Sequence, residues 1–201
     1  MTATLDADPN PSPCRGLFLS QGKTWWHPVF FSLLLSVLIA LSPALTAVSE
    51  AADSWTVCFT PPENCTDQIN AVIREARRSI HVQAYSFTSA PIAKALLQAH
   101  KRGVRVEVIL DKSNRKDKYS VADFLTNQGI PAFIDDEHAI AHNKVMIIDG
   151  ETVITGSFNF TKAAEGRNAE NVLLIKDKVL ASRYLANWEV HRKHAERYQG
   201  R

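Results

Sequence analysis

The thirty residues His142 to Asn171 read HNKVMIIDGETVITGSFNFTKAAEGRNAEN, and they hold most of the chemistry of the 201-residue chain. Two short apolar runs, Lys144 to Asp149 and Thr152 to Ser157, are joined through Asp149-Gly150-Glu151, the signature of a tight hairpin between two strands. His142 and Lys144 stand two residues apart, so an extended segment turns both side chains to one face, where an imidazole and an ammonium can address one anion. The hairpin returns the chain and brings Ser157 and Asn159 towards the same edge. An imidazole nucleophile or acid, a fixed positive charge and an amide donor are the groups that phosphoryl transfer requires. Glu170 follows as a carboxylate able to fix the tautomer of His142 and stabilise its charged form.

Outward from this stretch, strands and helices alternate. Trp55 to Phe59 reads as a strand, and Thr66 or Asp67 can cap a helix to about Arg78 through Ile69, Val72, Ile73 and Ala76. Ser79 to Ser86 alternates as a strand. Ala90 to Arg102 repeats the helical period and Gly103 ends it. Val104 to Leu110 carries the period-2 pattern of another strand. Two strand–helix–strand crossovers imply a parallel core. A polar loop, Asp111 to Lys118, precedes a helix at about Tyr119 to Gln128 and a strand at Ala132 to Ile134. Glu170 to Lys176 is the last strand and Val179 to about Glu196 a closing helix. The fold class expected is α/β, an α/β/α sandwich around a mixed, mainly parallel sheet.

Lys112, Arg115, Lys116 and Lys118 lie in the loop after a core strand, where α/β sheets bind ligands, and are candidate contacts to a polyanion; a solvated loop is the plainer alternative. Trp55 and Trp188 read as core. Phe158 and Phe160, flanking Asn159, are core anchors or walls of a substrate groove. His191 and His194, three apart on the last helix, are a conceivable metal pair, but Arg192 and Lys193 between them favour a solvated basic end, so no metal site is expected. His81 and His138 have no partner visible in sequence.

Composition bounds the rest. The chain is 45% hydrophobic and 22% charged, with 8 Gly and 9 Pro, which excludes disorder, collagen and coiled coil. The net charge of +2 excludes a histone-like or acidic tail while allowing a local basic groove. No Asp, Glu, Lys or Arg occurs from Thr24 to Ser49, and the thirteen residues Val29 to Leu41 form an apolar run short of a comfortable membrane span. Arg15 and Lys23 precede it, Pro43 and small residues follow, and cleavage is expected between Ala44 and Ala52. Residues 1–52 are thus read as a signal peptide, with an uncleaved anchor over Thr24 to Val48 as the alternative. Residues 53–201 form a single domain carrying 21 basic and 18 acidic groups. Export, to the periplasm or the exterior, makes Cys58 and Cys65 a candidate disulfide around a turn-rich stretch.

The pattern His142-x-Lys144-x4-Asp149-x6-Gly156-Ser157-x-Asn159 resembles the HKD signature of the phospholipase D superfamily, without a gap. Gly156 to Glu165, Asn168 to Asn171, Ala84-Tyr-Ser-Phe-Thr88 and the Lys-Arg-Gly103 turn extend the resemblance over roughly residues 55 to 190. Together they look like the small secreted bacterial single-motif endonucleases of that superfamily. The resemblance implies a metal-independent phosphodiesterase without cofactors, working through a phosphohistidine. Because one motif is present where two face each other, it implies a homodimer sharing one site across a two-fold axis. His142 would be nucleophile in one subunit and acid in the other. Lys144 and Asn159 would hold the phosphate, Glu170 would orient His142, Ser157 would support, and Asp149 would be structural. The substrate expected is DNA or RNA. A phospholipase D acting on phosphatidylcholine is the alternative, and a non-catalytic dimeric module the remote one, which the intact motif disfavours.

Overall fold

The computed structural model describes residues 54–201, so the expected leader and its cleavage site lie outside the described residues. No helix among the described residues is long and apolar enough to cross a membrane. Eight strands form one sheet: β1 (Ser54–Thr60), β2 (Ser79–Ala84), β3 (Arg105–Asp111), β4 (Ala132–Asp135), β5 (Lys144–Ile148), β6 (Thr152–Gly156), β7 (Glu170–Lys176) and β8 (Glu196–Arg197). Their order in space is β1-β7-β6-β5-β2-β3-β4-β8. Among the described residues five α-helices accompany them: α1 (Cys65–Glu75), α2 (Ala90–Lys101), α3 (Ala122–Asn127), α4 (Lys162–Gly166) and α5 (Lys178–His194).

The sandwich is as expected, but the sheet is not mainly parallel. Parallel pairing is confined to β2–β3 and β3–β4, where α2 and α3 supply crossovers. The segment from Asp136 to Asn143 between β4 and β5 contains no helix and delivers β5 antiparallel to β2. A tight turn keeps β6 antiparallel to β5, the segment 157–169 with α4 returns β7 antiparallel to β6, and β1 joins β7 in the same sense.

Both faces are covered. Ile69 and Ile73 of α1, Ile92 and Leu96 of α2 and Leu125 of α3 pack on Ile80, Val82, Val106 and Val108. On the other face Ala181 and Trp188 of α5 pack on Ile109, Phe133, Val145, Ile147 and Val153. This double cover explains why all six residues of β2 are buried although their sequence alternates. His81 meets the Trp188 ring at 4.7 Å between centroids, and the Trp188 Nε1–H donates to the Val82 carbonyl at 2.9 Å. Trp55, expected in the core, is 72% exposed because β1 is an edge strand with no helix over that position.

Helix α1 starts earlier than its pattern suggested, because the Asn64 side chain takes the Asp67 N–H at 3.1 Å and acts as its cap. Thr66 instead donates its hydroxyl to Glu165 of α4. Helix α3 is shorter than expected, with Tyr119 to Val121 spent on a turn. Cys58 of β1 and Cys65 at the start of α1 are joined by a disulfide, with both sulfurs' residues fully buried.

Candidate active site

The alternating directions of β2, β5, β6 and β7 put the end of β2, the start of β5, the end of β6 and the start of β7 at one edge of the sheet. Tyr85, Lys144, Ser157 with Asn159, and Glu170 therefore gather there, with His142 immediately before β5. Lys144 pairs with Ala84 across β5–β2, and the Tyr85 N–H donates to the Asn143 carbonyl at 2.8 Å. The adjoining loop is held from below: the buried Asp111 takes the Ala141 N–H on Oδ2 at 2.8 Å.

His142 is exposed, and its ring lies 4.6 Å from that of Tyr85. Lys144 is buried with its Nζ 3.3 Å from His142 Nε2, 3.0 Å from the His142 carbonyl oxygen and 5.2 Å from the Tyr85 ring centre. An ammonium has protons only to give, so Lys144 engages the lone pair of Nε2 and leaves the imidazole proton on Nδ1. Burial pulls the Lys144 pKa below the ordinary lysine value, while the Glu170 carboxylate pulls it back up. The direct partner of Glu170 is Asn168, whose Nδ2 donates to Oε1 at 2.9 Å; no hydrogen bond or ion pair joins Glu170 to His142 within one chain. Its influence here is on the charge of Lys144.

Asn159 is positioned by its neighbours. Phe158 and Phe160 are both buried, which settles them as core anchors of the loop. Phe160 bridges Phe87 with rings 5.5 Å apart, and the N–H groups of Thr88 and Ser89 both donate to its carbonyl at 2.9 Å. Between these anchors the Asn159 side chain keeps a buried Oδ1 without any hydrogen-bond partner. An orphaned acceptor of this kind waits for a donor. Ser157 is exposed and its Oγ accepts from the Asn171 N–H at 3.0 Å. Gly156 makes that approach possible, since a Cβ there would stand 2.2 Å from the Asn171 carbonyl oxygen.

Asp149 stands at the far end of β5, four residue steps beyond the Lys144 neighbour Val145, or roughly 13 Å at 3.3 Å per residue. It adopts φ +56° in the hairpin and accepts the N–H groups of Arg77, Arg78 and Ser79 at 2.9, 2.7 and 2.9 Å. Burial alone would raise its pKa, but these bonds and the Arg78 charge hold it below the usual carboxylate value. Of the basic loop, Lys112 donates to the His138 carbonyl at 2.9 Å and Arg115 pairs with Glu196 at 2.9 Å. Lys116 is exposed, and Lys118 lies over the Tyr119 ring. Lys112, Arg115 and Lys116 line a cleft of about 490 Å³ together with Tyr85 and Ile140. Lys118 does not line it.

Residues 69–191 match the family model described as cardiolipin synthase, PLD-like domain. The chain belongs to the phospholipase D-like family. It is a phosphodiesterase hydrolase of that superfamily. It is 47% identical over 177 residues to a protein of Rickettsia conorii named phospholipase D, covering 86% of this chain and 88% of that one. It is 33% identical over 118 residues to the mitochondrial cardiolipin hydrolase of Xenopus tropicalis, covering 59% of this chain and 56% of that one. Among solved structures, Nuc from Salmonella typhimurium, a phospholipase D family member, superposes with a TM-score of 0.72 at 38% identity, covering 74% of this chain and all of Nuc. NucT from Helicobacter pylori shares the fold with a TM-score of 0.69 at 24% identity.

A second cluster was not anticipated. Asp135, His138, His191 and His194 converge at the end of β4, so His138 has partners and the end of α5 is not simply a solvated basic tip. The signal was present as two short spacings, Asp135-x-x-His138 and His191-x-x-His194, each uninformative until the fold joins them.

Proposed function

We propose that this phosphodiesterase is a metal-independent endonuclease acting on DNA or RNA through a phosphohistidine. The observation that carries the reading is the basic cleft of Lys112, Arg115 and Lys116, which shares Tyr85 with the His142–Lys144 pair. A phosphate chain held in that cleft passes over the imidazole. His142 Nε2 forms a bond to phosphorus as the bond to the leaving oxygen breaks. Lys144 and Asn159 stabilise the charge on the non-bridging oxygens. The leaving oxygen takes its proton from His142 of the partner subunit in a two-fold homodimer. Water then attacks phosphorus, gives its proton to that second imidazole and releases His142. Exposed Phe59 and Ile140, near the same sheet edge, support this edge as the dimer contact. The Cys58–Cys65 disulfide supports export to an oxidising compartment, periplasmic or external, with residues 1–52 as the cleaved leader or an anchor.

A phospholipase D activity is the second reading, favoured by the name of the Rickettsia conorii relative and by exposed Ile140, which lines the cleft. Plasmid DNA, single-stranded RNA and phosphatidylcholine vesicles, each incubated in EDTA with the purified protein and with His142→Ala, separate the two. His142-dependent cleavage of nucleic acid with intact lipid is the expected result. Choline release with intact nucleic acid would replace the nuclease reading, and cleavage surviving His142→Ala would remove the mechanism.

A further inference from the structure

Asp135 is fully buried at the end of β4, and three imidazoles surround its carboxylate. His191 Nδ1 lies 2.7 Å from Oδ2, while His194 Nε2 and His138 Nδ1 lie 3.2 and 3.4 Å from Oδ1. The ring centroids are 5.0 to 5.6 Å apart, a triangle closed around one acid. One ligand atom from each residue, three imidazole nitrogens and one carboxylate oxygen, lie within 4.8 Å of one another.

Hydrogen bonding alone leaves this arrangement incomplete. His194 Nε2 is buried and close to the carboxylate yet makes no hydrogen bond, so it points into the cluster without a partner. Its other nitrogen, Nδ1, lies 3.0 Å from Glu137 Oε2. A carboxylate on the far nitrogen of an imidazole fixes the tautomer that turns a lone pair inward, the arrangement that supports metal-binding histidines. The nearby cation is diverted: the Arg192 guanidinium stacks 3.3 Å over the Phe133 ring.

We infer that Asp135, His138, His191 and His194 form a four-coordinate site for a divalent transition metal of the zinc class. A tetrahedron with bonds of about 2.0–2.1 Å has edges of about 3.4 Å, so the widest separations in the cluster must contract by up to roughly 1.4 Å to close on an ion. Three nitrogens and one oxygen suit zinc, cobalt or nickel better than magnesium or calcium. Four protein ligands leave no open position, so the site is structural. His191 and His194, at i and i+3, share one face of the last turn of α5. Asp135 and His138 belong to β4 and to the segment that runs on to His142. The ion therefore ties the end of α5 to the loop that delivers the catalytic imidazole, and Lys112, bonded to the His138 carbonyl, is tied with it.

The test uses Zn²⁺ by calorimetry and Co²⁺ by visible spectroscopy on the purified full chain and on His142→Ala, His138→Ala/His194→Ala and Glu137→Gln. One ion per chain is expected, with the intense visible bands of four-coordinate Co²⁺, in wild type and in His142→Ala alike. The double variant should lose both signals. Glu137→Gln keeps all four ligands and should bind about ten- to a hundredfold more weakly, which tests the site even if the double variant fails to fold. Zn²⁺ should raise the thermal midpoint of wild type and leave His142-dependent turnover unchanged. Absence of a stoichiometric site, a pale six-coordinate Co²⁺ spectrum, loss of binding in His142→Ala, or binding indifferent to Glu137→Gln would overturn the inference.

Discussion

Replacing Asp149 separates the architecture of the motif from its chemistry. Its carboxylate takes three backbone N–H groups, those of Arg77, Arg78 and Ser79, and so joins the end of α1 and the start of β2 to the β5–β6 turn. Charge-assisted bonds contribute about 1.5–3 kcal/mol each when buried. The Arg77 and Arg78 bonds are exposed, so water compensates much of their loss, and the three together stabilise by about 3 kcal/mol. The residue also sits at φ +56°, which costs an alanine about 1 kcal/mol more than Asp or Asn. Asp149→Ala should therefore lose about 3–5 kcal/mol, or about 8–15 °C in midpoint for a domain near 150 residues. Asp149→Asn, which keeps one acceptor oxygen and tolerates the backbone, should lose less than half of that. The folded pKa of Asp149 lies below its unfolded value of about 3.9. Its contribution is thus full above that value and fades as pH falls through the lower folded one, so the wild-type and Asn curves should converge in acid. Thermal unfolding followed by circular dichroism, with turnover measured well below the midpoints, gives both quantities. An unchanged midpoint with collapsed turnover in Asp149→Ala would refute the reasoning and put this carboxylate into the chemistry.

Two other residues give equally direct outcomes. The activity that depends on charged Lys144 should fall on the alkaline side below the ordinary lysine pKa, because burial lowers that of Lys144; Lys144→Arg should move this limb upward in a kcat/KM–pH profile, and coincident limbs would deny Lys144 the role. Gly156→Ala forces a Cβ to 2.2 Å from the Asn171 carbonyl at φ +145°, so the β6–β7 pair must open, and a loss of several kcal/mol, on the order of a large core substitution, should appear in denaturant titration; a wild-type midpoint would show that the close approach is not required.

Much of the molecule was legible because its signals are local. The β5–β6 hairpin and β7 follow from a turn dipeptide and short apolar runs, and His142, Lys144 and Asn159 are brought to one edge by that hairpin alone. What could not be read was decided at long range. The parallel share of the sheet depends on where β5 inserts, and nothing between Asp136 and Asn143 announces that it lands beside β2. Trp55 is apolar yet exposed because no helix reaches the edge strand. Glu170 bonds Asn168, two positions away, and not His142. The Asp135 cluster joins residues more than fifty positions apart, and only the packing of α5 on β4 makes its two spacings one object.

The pairing of β1 with β7 also sets an order on the birth of the chain. Thr60 lies opposite Glu170, so the first strand of the domain to leave the ribosome finds its partner only after about 110 further residues have followed it. Through that interval β1 lacks its strand partner, while carrying Trp55 and Phe59, an open edge of the kind that invites pairing with other chains. The Cys58–Cys65 link, spanning seven positions, needs nothing that comes later. It can lash the strand to the first helix while the rest of the sheet is still being made, giving the nascent edge its one early tether.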